Sequence, residues 1–402
     1  MKPQLAIPLA AVAEIAAGIT LGRKTRERDL TEVPYLRVAN VQDGHLMLGE
    51  VSTFAATPSE IEKLTLQDGD LLLTEGGDPD KLGRGACWRE QLFVCIHQNH
   101  IFRVRLPRER YDPDFVSLQI GSPYGKAYFL AHAKQTTGIA SINQRVLGGF
   151  PLISPPIATQ RRIAASLKSQ LAEIETARQA AQTQADDISL LRRRVLAEVF
   201  AAVDDAPRKR LGDHAHTTSG STPPRGVKAY WTPAEIPWVK TGEVAFVPIA
   251  RTAEAVSRRA LAECSLTLLP PGTVLVAMYG QGKTRGRSAI LDVAATTNQA
   301  CFAILPNETW EPSFLFHWLM ASYHDLRGLS EGRGGNQANL NGALLNALEV
   351  PAPSRTQQAA IARRAWTALR HVEALAAANQ AQRAELERLP QRLLAQAFTA
   401  DA

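Results

Sequence analysis

The sequence has few cysteines and no long apolar run. Its four cysteines, at positions 87, 95, 264 and 301, form no Cys-x-x-Cys pair, so we expect no disulfide framework and a reducing, cytoplasmic compartment. No run of eighteen apolar residues is present, and Pro8 and Glu14 interrupt the apolar residues near position 1. We therefore expect neither a membrane span nor a signal peptide there, and no membrane partner.

Motifs that carry chemistry are missing as well. The sequence has no Asn-Pro-Pro-Tyr-like or Asp-Pro-Pro-Tyr-like methylation motif, no Gly-rich strand-helix site for S-adenosylmethionine, and no repeated acidic cluster for metal-dependent cleavage. Cys87, Cys95, His97 and His100 lie close together, but no fourth ligand keeps the spacing of a zinc site. We predict that the chain has no catalytic residues and no metal, and that any catalysis comes from other proteins.

What the sequence does contain is an internal repeat. Leu152 to Ala201 align without a gap on the residues 198 positions later. The aligned pairs include Pro155 with Pro353, Gln160 with Gln358, Ile163 with Ile361, Ile188 with Leu386, Leu191 with Leu389, and Phe200 with Phe398. Each copy begins behind prolines, as helices often do.

Both copies show the heptad pattern of a coiled coil, with apolar residues spaced by alternating fours and threes. In the first copy the predicted seam is Ile163, Leu167, Ile174, Ile188, Leu191 and Val195. In the second copy it is Ile361, Val372, Leu375, Leu386, Leu389 and Leu393. A helix of about forty residues with one apolar stripe cannot bury that stripe alone, so we predict that the two helices pair as an antiparallel coiled coil. Polar seam residues such as Gln184 and Asn379 would set the register.

The segments before the two helices also repeat. Val33–Val41 aligns with Ile236–Val244 at an offset of 203, and Tyr111–Phe115 aligns with Trp310–Phe314 at an offset of 199. Each segment mixes short β-rich runs, helical windows and Gly-rich turns, which predicts an α+β domain used twice with pseudo-two-fold internal symmetry. The predicted order is domain 1–150, long helix 151–205, domain 206–350 and long helix 351–402, with a linker at Asp204–Arg210.

The charge distribution favours a polyanionic partner. The net charge is +6 and the pI is about 9.2, and the whole basic excess lies in the second half of the chain. Two similar domains joined by paired helices suit a ligand with two separated, related sites, and duplex DNA is the commonest such ligand. The domains differ in loop sequence, so we expect the two half-sites to differ.

Several motifs, taken in order, resemble those of the specificity subunit of Type I restriction-modification systems. They are PPIATQRRIAASL and PSRTQQAAIARRAW at the helix entries, VPYLRVANV and IPWVKTGEV, GSTP at Gly220–Pro223, and AMYGQGKTRGRSAI. The resemblance covers nearly the whole chain and implies a non-catalytic subunit with two target-recognition domains that read a bipartite, asymmetric DNA site. It further implies two modification subunits docked on the helices, with restriction subunits joining them. S-adenosylmethionine is then expected on the modification subunit, and ATP and Mg on the restriction subunit, with no cofactor on this chain.

The candidate DNA contacts lie in loops of the two domains. In the first domain they are Arg23, Lys24, Arg37, Lys81, Arg84, Gln135, Thr136 and Asn143. In the second domain they are Thr222, Arg225, Lys240, Lys283, Arg285, Arg287, Arg333, Asn336, Gln337 and Asn341. Basic groups can contact phosphate or guanine, and amides can contact adenine. The basic groups could equally be solvated charges, and the polar residues before each long helix could equally be helix caps.

Two other functions remain open. Gly282, Lys283 and Thr284 fit a relaxed phosphate-loop pattern, which would indicate a nucleotide-hydrolysing enzyme. A phosphate loop needs a helix directly after it, whereas Arg285–Val293 is predicted to be a turn and a strand. The other possibility is an orphan specificity-like subunit that serves a methylation-only or other phage-defence assembly.

Overall fold

The computed structural model describes residues 6–23, 29–77, 82–136, 139–280, 282–329 and 339–398. Contacts divide the chain into two compact units, residues 1–182 with 381–402, and residues 183–380. We call them unit 1 and unit 2. Each unit combines one α+β region with part of both long helices. Each of the two predicted long helices is thus divided between the units, and the exact boundaries of the four predicted segments stay a prediction.

Unit 1 begins with short strands and helices and includes the first part of one long helix. Its strands are β1 Ile7–Pro8, β2 Glu14–Ala17, β3 Thr31–Leu36, β4 Ser52–Ala56, β5 Leu71–Thr74, β6 Gly76–Gly77, β7 Gly85–Cys87, β8 Ile96–His97, β9 Ile101–Arg105, β10 Lys134–Thr136, β11 Ile139–Ser141 and β12 Pro151–Leu152. Its helices are α1 Pro58–Leu64, α2 Pro113–Gly121, α3 Pro123–His132, α4 Gln144–Gly148 and the long α5 Ile157–Ala201.

Unit 2 repeats this order with one long helix at its end. Its strands are β13 Arg208–Arg210, β14 Thr217–Ser219, β15 Ile236–Val239, β16 Pro248–Ile249, β17 Glu254–Val256, β18 Val274–Ala277, β19 Ser288–Leu291, β20 Thr296–Thr297, β21 Cys301–Ile304 and β22 Glu349–Pro351. Its helices are α6 Leu211–His214, α7 Arg258–Glu263, α8 Pro312–Ala321, α9 Tyr323–Gly328, α10 Gly342–Asn346 and the long α11 Arg355–Ala397.

The sheets of the two units have the same plan. In unit 1 the antiparallel order β2-β9-β5-β7 lies beside a three-stranded sheet β4-β3-β8, in which β3 and β8 are parallel. In unit 2 the order β14-β21-β18-β19 is extended by β16, and the smaller sheet is β17-β15-β20 with a parallel β15 and β20. The predicted α+β fold, used twice, is therefore confirmed.

One predicted loop is ordered instead. Arg208–Arg210, assigned to the linker, forms strand β13 and pairs antiparallel with β22, so that Lys209 lies opposite Val350. The corresponding strands of unit 1, β1 and β12, pair in the same way. In both units the chain that enters the α+β region is thus tied to the chain that leaves it for the long helix.

The junction of each long helix with its α+β region depends on one buried glutamine. The amide of Gln160 accepts from the Asp112 N–H at 3.0 Å and donates to the Arg110 and Pro155 carbonyls at 3.1 and 2.7 Å. Gln358 accepts from the Glu311 N–H at 2.7 Å and donates to the Thr309 and Pro353 carbonyls at 2.9 and 2.8 Å. Both side chains are fully buried, and the matched bonds fix both helix entries in the same geometry.

The long helices run antiparallel within each unit. In unit 2 Gln184 of α5 accepts from Asn379 of α11 at 2.9 Å, and Arg192, further along α5, pairs with Glu373, earlier in α11, at 2.9 Å. In unit 1 Leu167 lies in the same buried cluster as Leu394 and Phe398. The predicted antiparallel coiled coil is confirmed, and the two polar seam residues form a hydrogen bond across it.

The predicted seam nevertheless needs a correction at most of its alternate positions, although Ile361 is buried as predicted. Leu167 and Ile188 of α5 and Val372 and Leu386 of α11 are buried as predicted. The alternate positions lie one residue later, at 164, 171, 178, 185 and 192 of α5 and at 362, 369, 376 and 390 of α11. Leu191, Leu375 and Leu389 are therefore 38%, 48% and 37% exposed. Alanines at 164, 185, 362 and 376 allow close packing, which favours this phase.

A proline inside α11 is matched by an arginine of α5 in unit 1. Pro390 has no N–H, so the Leu386 carbonyl lacks its usual donor in the helix. The Nε of Arg178 donates to that carbonyl at 3.2 Å, and its Nη2 donates to the Glu387 carbonyl and to Glu387 Oε2, both at 3.2 Å. Arg178 thus replaces a backbone hydrogen bond that Pro390 removes.

This pairing predicts energetic coupling between the two positions. Arg178→Met, which keeps the apolar stem, should lower the free energy of unfolding by about 1 to 2 kcal/mol, since the Leu386 carbonyl is left without a donor. In the Pro390→Ala background the helix regains its own N–H, so the same substitution should cost about 1 kcal/mol less. Calorimetric unfolding of the four proteins measures this, with the exposed Arg193→Met as a control for charge. Strictly additive effects would contradict the assignment.

Candidate nucleic-acid interface

A glycine marks the same strand crossing in both units. A Cβ on Gly18 would lie 1.9 Å from the His97 carbonyl oxygen, and a Cβ on Gly220 would lie 1.9 Å from the Thr297 carbonyl oxygen. The following residues, Ile19 and Ser221, donate their N–H groups to those same carbonyls at 2.7 and 2.9 Å. Only glycine allows this approach, so the two units build the loops after Gly18 and Gly220 on equivalent supports.

Arg37 and Lys240 occupy equivalent positions. Each precedes a 3₁₀ turn, Val38–Asn40 in unit 1 and Thr241–Glu243 in unit 2. The Arg37 N–H donates to Asn40 Oδ1 and the Lys240 N–H donates to Glu243 Oε2, both at 2.8 Å. The two basic side chains are therefore attached at equivalent backbone positions in the two units.

In unit 2 three of the predicted DNA contacts lie close together. Arg225 and Lys240 contact Glu254, and Thr222 contacts the segment Asn298–Ala300. Glu254 pairs with Lys240 Nζ at 2.7 Å and with Arg225 Nη1 at 2.5 Å. Hydrogen bonds from Arg225 and then Lys240 lower the pKa of Glu254, so the group carries one net positive charge. Arg225 also stacks over Trp231, with its Cζ 3.9 Å from the ring centroid. We call Arg225, Lys240 and Glu254 the unit 2 charge cluster.

The segment Asn298–Ala300 connects this cluster to the glycine-rich loop. Thr222 bonds to Gln299 at 2.5 Å, and Thr241, next to Lys240, donates to Asn298 Oδ1 at 2.9 Å. The Met278 N–H donates to the Ala300 carbonyl at 2.8 Å. The loop after β18 therefore starts beside the residues that hold the charge cluster.

The glycine-rich loop is a turn between two strands. Gly280, Gly282 and Gly286 have positive φ values of 134°, 69° and 83°, and the chain then enters strand β19. The predicted turn and strand are confirmed. In a phosphate loop, the helix that follows directly supplies the dipole that helps the N–H groups to bind phosphate. No helix directly follows this loop, which counts against nucleotide hydrolysis.

Two residues of α9 hold this loop in place. Arg327 Nη1 donates to the Gly282 and Arg285 carbonyls at 2.8 and 3.2 Å, and the Tyr323 hydroxyl donates to the Lys283 carbonyl at 2.7 Å. Sequence reasoning missed both, because no local pattern connects α9 with a loop forty residues earlier. Lys283 stays exposed at the tip. Arg285 is only 7% exposed, and its assignment as a DNA contact stays a prediction.

In unit 1 the equivalent basic residues, Arg23 and Arg84, also contact other side chains. Arg23 pairs with Glu60 and lies over Phe54, with 4.8 Å from its Cζ to the ring centroid. Arg84 donates to Gln42 Oε1 at 3.2 Å. Arg84 and Arg287 are aligned residues, and within the described part of the chain the Nε of each is buried without a hydrogen-bond partner. A buried donor without a partner is costly.

Two predicted amide contacts are helix caps. Asn143 Oδ1 accepts from the Val146 N–H and Asn341 Oδ1 accepts from the Leu344 N–H, both at 2.9 Å. The capping alternative is therefore correct for these two oxygens. Lys24, Lys81, Arg333, Asn336 and Gln337 lie outside the described residues, and so do the side chains of Gln135 and Thr136.

Among the described residues no three His, Cys, Asp or Glu side chains come together as a metal site would require. His97 is buried and its Nδ1 contacts the Ile101 carbonyl at 3.0 Å, while His100 pairs with Glu75. All four cysteines are thiols. Within the described ranges no helix is both long and apolar enough to cross a membrane.

The sequence of the second half matches a known family. A model of the Type I restriction modification DNA specificity domain matches residues 204–388. The specificity subunit of the Type I restriction enzyme MjaIX from Methanocaldococcus jannaschii is 30% identical over 162 residues, which are 38% of this chain and 35% of that protein. The second half of the chain is therefore similar in sequence to the specificity subunits of Type I restriction-modification systems.

Another Type I specificity subunit matches over a similar stretch. The EcoKI specificity subunit of Escherichia coli K12 is 24% identical over 169 residues, which are 42% of this chain and 36% of that protein. The aligned part of the chain thus spans little more than a third of the length of these relatives.

Solved structures share the fold over nearly the whole chain. One comes from work on complex assembly and conformational transition of the type I R-M system, and has a TM-score of 0.74 at 19% identity, covering 97% of this chain and 98% of that one. The HsdS subunit of Thermoanaerobacter tengcongensis has a TM-score of 0.61 at 19% identity, covering 100% and 98%. These two solved structures therefore share the fold of nearly the whole chain.

The Arg23–Glu60 pair predicts a pH dependence. Arg23 lowers the pKa of Glu60 to about 2, below its unfolded value of about 4.3, so the stabilisation is present above the unfolded value and is lost as the pH falls towards 2. Glu60→Gln keeps the capping role at the start of α1 and removes the charge. The difference in Tm between this variant and the wild type should shrink between pH 5 and pH 2. The exposed Glu62→Gln on the same helix should show no such convergence, and equal curves would contradict the assignment.

The contacts of Arg327 predict local order in the glycine-rich loop. Arg327→Met removes the bonds to the Gly282 and Arg285 carbonyls, so the amides of residues 282–287 should exchange with deuterium about ten-fold faster or more. The amides of β18 should be unaffected. Hydrogen-exchange mass spectrometry compares the two segments, with the exposed Arg251→Met as a control. An unchanged loop, or a uniform increase across unit 2, would show that Arg327 does not hold the loop.

Proposed function

We propose that this chain is the DNA sequence-specificity subunit of a Type I restriction-modification complex. Each α+β region reads one half of a bipartite, asymmetric site on double-stranded DNA. The observation that carries the proposal is the matched placement of basic residues on equivalent supports in the two units. The matched pairs are Arg37 with Lys240 and Arg23 with Arg225. Matched cations suit a backbone that is the same at both half-sites.

Differences around these cations support two unlike half-sites. In unit 2 Arg225 stacks on tryptophan and shares Glu254 with Lys240. In unit 1 Arg23 pairs with Glu60 over a phenylalanine, and Arg84 contacts Gln42. Direct reading of base edges depends on which donors and acceptors reach the groove, so differently composed loops on the same fold select different bases.

Lys283 is the strongest candidate for a DNA contact in unit 2. It is exposed at the tip of a loop whose backbone is held by Arg327 and Tyr323, so little conformational entropy is lost when it binds. A single exposed ammonium acts mainly on phosphate. Arg287 lies over Phe246 at 5.7 Å and supports the loop from the strand side.

The long helices are proposed to dock two modification subunits, with restriction subunits joining that core. Leu191, Leu375 and Leu389 are exposed outside the buried stripe of the coil, which suits helices that carry a second apolar contact. The chain itself is proposed to be non-catalytic. S-adenosylmethionine would then be bound by the modification subunit, and ATP and Mg by the restriction subunit.

Mapping methylated adenines tests the whole proposal. A host expresses the chain with the modification subunit encoded beside it, and long-read sequencing compares it with a strain that lacks the chain. We expect a split motif of two short unlike halves around a fixed gap, which disappears with the chain. A continuous motif, or a motif that persists without the chain, would contradict the specificity role.

A single substitution should change only one half-site. Lys283→Ala is expected to weaken binding to the cognate duplex about three- to ten-fold and to reduce the salt dependence by about one phosphate contact, with any relaxed preference confined to one half of the motif. Titrations at several salt concentrations and the methylation map measure this. Arg208→Ala, which removes the same charge from strand β13, is the matched control.

Two results would count against this assignment. Changed preference at both half-sites would contradict the division of the site between the units. Nucleotide binding that Lys283→Ala abolishes, with DNA selectivity intact, would favour the nucleotide-hydrolysing alternative.

A further inference from the structure

The two units differ in which of their matched basic residues has a partner. Unit 1 carries Arg37 and Arg84 where unit 2 carries Lys240 and Arg287. Arg84 is held by hydrogen bonds and Lys240 by an ion pair. Among the described residues, nothing forms a hydrogen bond or an ion pair with the Nη groups of Arg37 or of Arg287. The unpaired arginine therefore lies at one of the two matched positions in unit 1 and at the other in unit 2.

One replacement explains why Arg37 is unpaired. Glu254 lies opposite Trp238 in strands β17 and β15, and Ser52 lies opposite Tyr35 in strands β4 and β3. Tyr35 and Trp238 are aligned, so Ser52 occupies in unit 1 the place that Glu254 has in unit 2. A serine carries no charge. The basic residue beside it, Arg37, therefore has no carboxylate at the place where unit 2 supplies one.

A second replacement explains why Arg287 is unpaired. In unit 1 the Nη1 of Arg84 donates to Gln42 Oε1 at 3.2 Å. The residue of unit 2 aligned with Gln42 is Ala245, whose side chain has no acceptor. Arg287 lies instead over Phe246, with 5.7 Å from its Cζ to the ring centroid. An aromatic ring positions the guanidinium but leaves its donors available.

Both guanidinium groups are held in place by the chain around them. In each, the Nε is buried whereas Nη1 and Nη2 are not, so the stem is packed and the end reaches the surface. The Arg37 N–H donates to Asn40 Oδ1, and the Arg37 carbonyl accepts from the Asn40 N–H, both at 2.8 Å. The Arg287 N–H donates to the Thr284 carbonyl at 3.1 Å, and the Arg287 carbonyl accepts from the Ala277 N–H at 2.9 Å. A fixed guanidinium loses little freedom when it donates two parallel hydrogen bonds.

The difference between the units favours a base over a phosphate as the ligand of these two arginines. Phosphates repeat along DNA whatever its sequence, so residues that contact them have no reason to differ between the units. Guanine presents its O6 and N7 acceptors in the major groove, and together they match two parallel donors of one arginine. Arginines that are unpaired at non-equivalent places therefore suit guanines at non-equivalent positions of two half-sites.

We propose that Arg37 in unit 1 and Arg287 in unit 2 each recognise one guanine through Nη1 and Nη2. Ser52 and Ala245 determine this choice, because each leaves the neighbouring arginine without a partner. The guanine then lies at a different place in each half-site. The inference rests on the proposed function, to which it adds the base and the specificity-determining residues.

The test begins with lysine variants of the full chain, expressed with the modification subunit. Lysine keeps the charge but cannot donate two parallel hydrogen bonds. We expect Arg37→Lys to relax the methylated motif at one guanine of one half, and Arg287→Lys at one guanine of the other half, with the remaining bases unchanged. Replacement of that guanine by 7-deazaguanine, which lacks N7, should weaken binding of the wild-type complex to the mapped duplex about five-fold or more. The matching lysine variant should bind both duplexes equally.

Exchange of the determining residues provides a second, independent measurement. Ser52→Glu supplies Arg37 with a carboxylate, and should relax the same guanine as Arg37→Lys. Ala245→Gln supplies Arg287 with an acceptor, and should relax the same guanine as Arg287→Lys. Exposed neighbours provide controls that add the same groups and should leave the motif unchanged. These controls are Thr53→Glu and Val247→Gln. If an exchanged variant does not fold, the lysine variants alone decide the test.

Three results would overturn the inference. They are a half-site without guanine, unchanged binding to 7-deazaguanine, and lysine variants that weaken binding to every sequence equally, as loss of a phosphate contact would. If no motif depends on the chain, the proposed function fails as well. If a motif depends on the chain but the lysine variants leave it unchanged, only this inference fails, so the two failures are distinguishable.

Discussion

The pairing of two long helices is the constraint on which the other features depend. A helix of 45 residues with one apolar stripe is unstable alone in water, so α5 and α11 must cover each other. Within each unit a polar contact sets how they meet, the Gln184–Asn379 hydrogen bond in one and the bonds of Arg178 to α11 in the other. Buried Gln160 and Gln358 then attach an α+β region to each helix entry in one geometry. The loops that carry the candidate DNA contacts are positioned by this sequence of attachments.

Much of the fold could be predicted because the repeat is long and ungapped. Gln160 and Gln358 were aligned by sequence alone, and the structure shows them making the same three kinds of bond. The strand after the glycine-rich loop, Ser288–Leu291, lies within the turn and strand predicted for Arg285–Val293. The seam phase was not, because apolar or small residues occupy both candidate positions, such as Ile163 and Ala164. Leu191, Leu375 and Leu389 favoured the first alternative, whereas in the structure the residues one position later are less exposed.

The candidate site was less predictable than the fold. Matched positions such as Arg37 and Lys240 follow from the alignment, but the partner of Lys240 does not, because Glu254 reaches it from another strand. The burial of Arg285 depends on how α9 packs against the loop, a contact between residues distant in sequence. Asn143 and Asn341 had two interpretations at the same spacing, and only the three-dimensional structure distinguishes a cap from a surface amide.

The discontinuity of unit 1 has a consequence for how the protein is made. Unit 2 is a continuous stretch of residues 183–380, whereas unit 1 joins residues 1–182 to residues 381–402. Its core includes Leu394 and Phe398, and Phe398 packs against Phe115 with the ring centroids 5.3 Å apart. On the ribosome, the α+β region that emerges first must therefore wait some two hundred residues for the last part of its core. The region synthesised second has all its residues first, so during translation the earlier one is the part exposed to chaperones and proteases for longer.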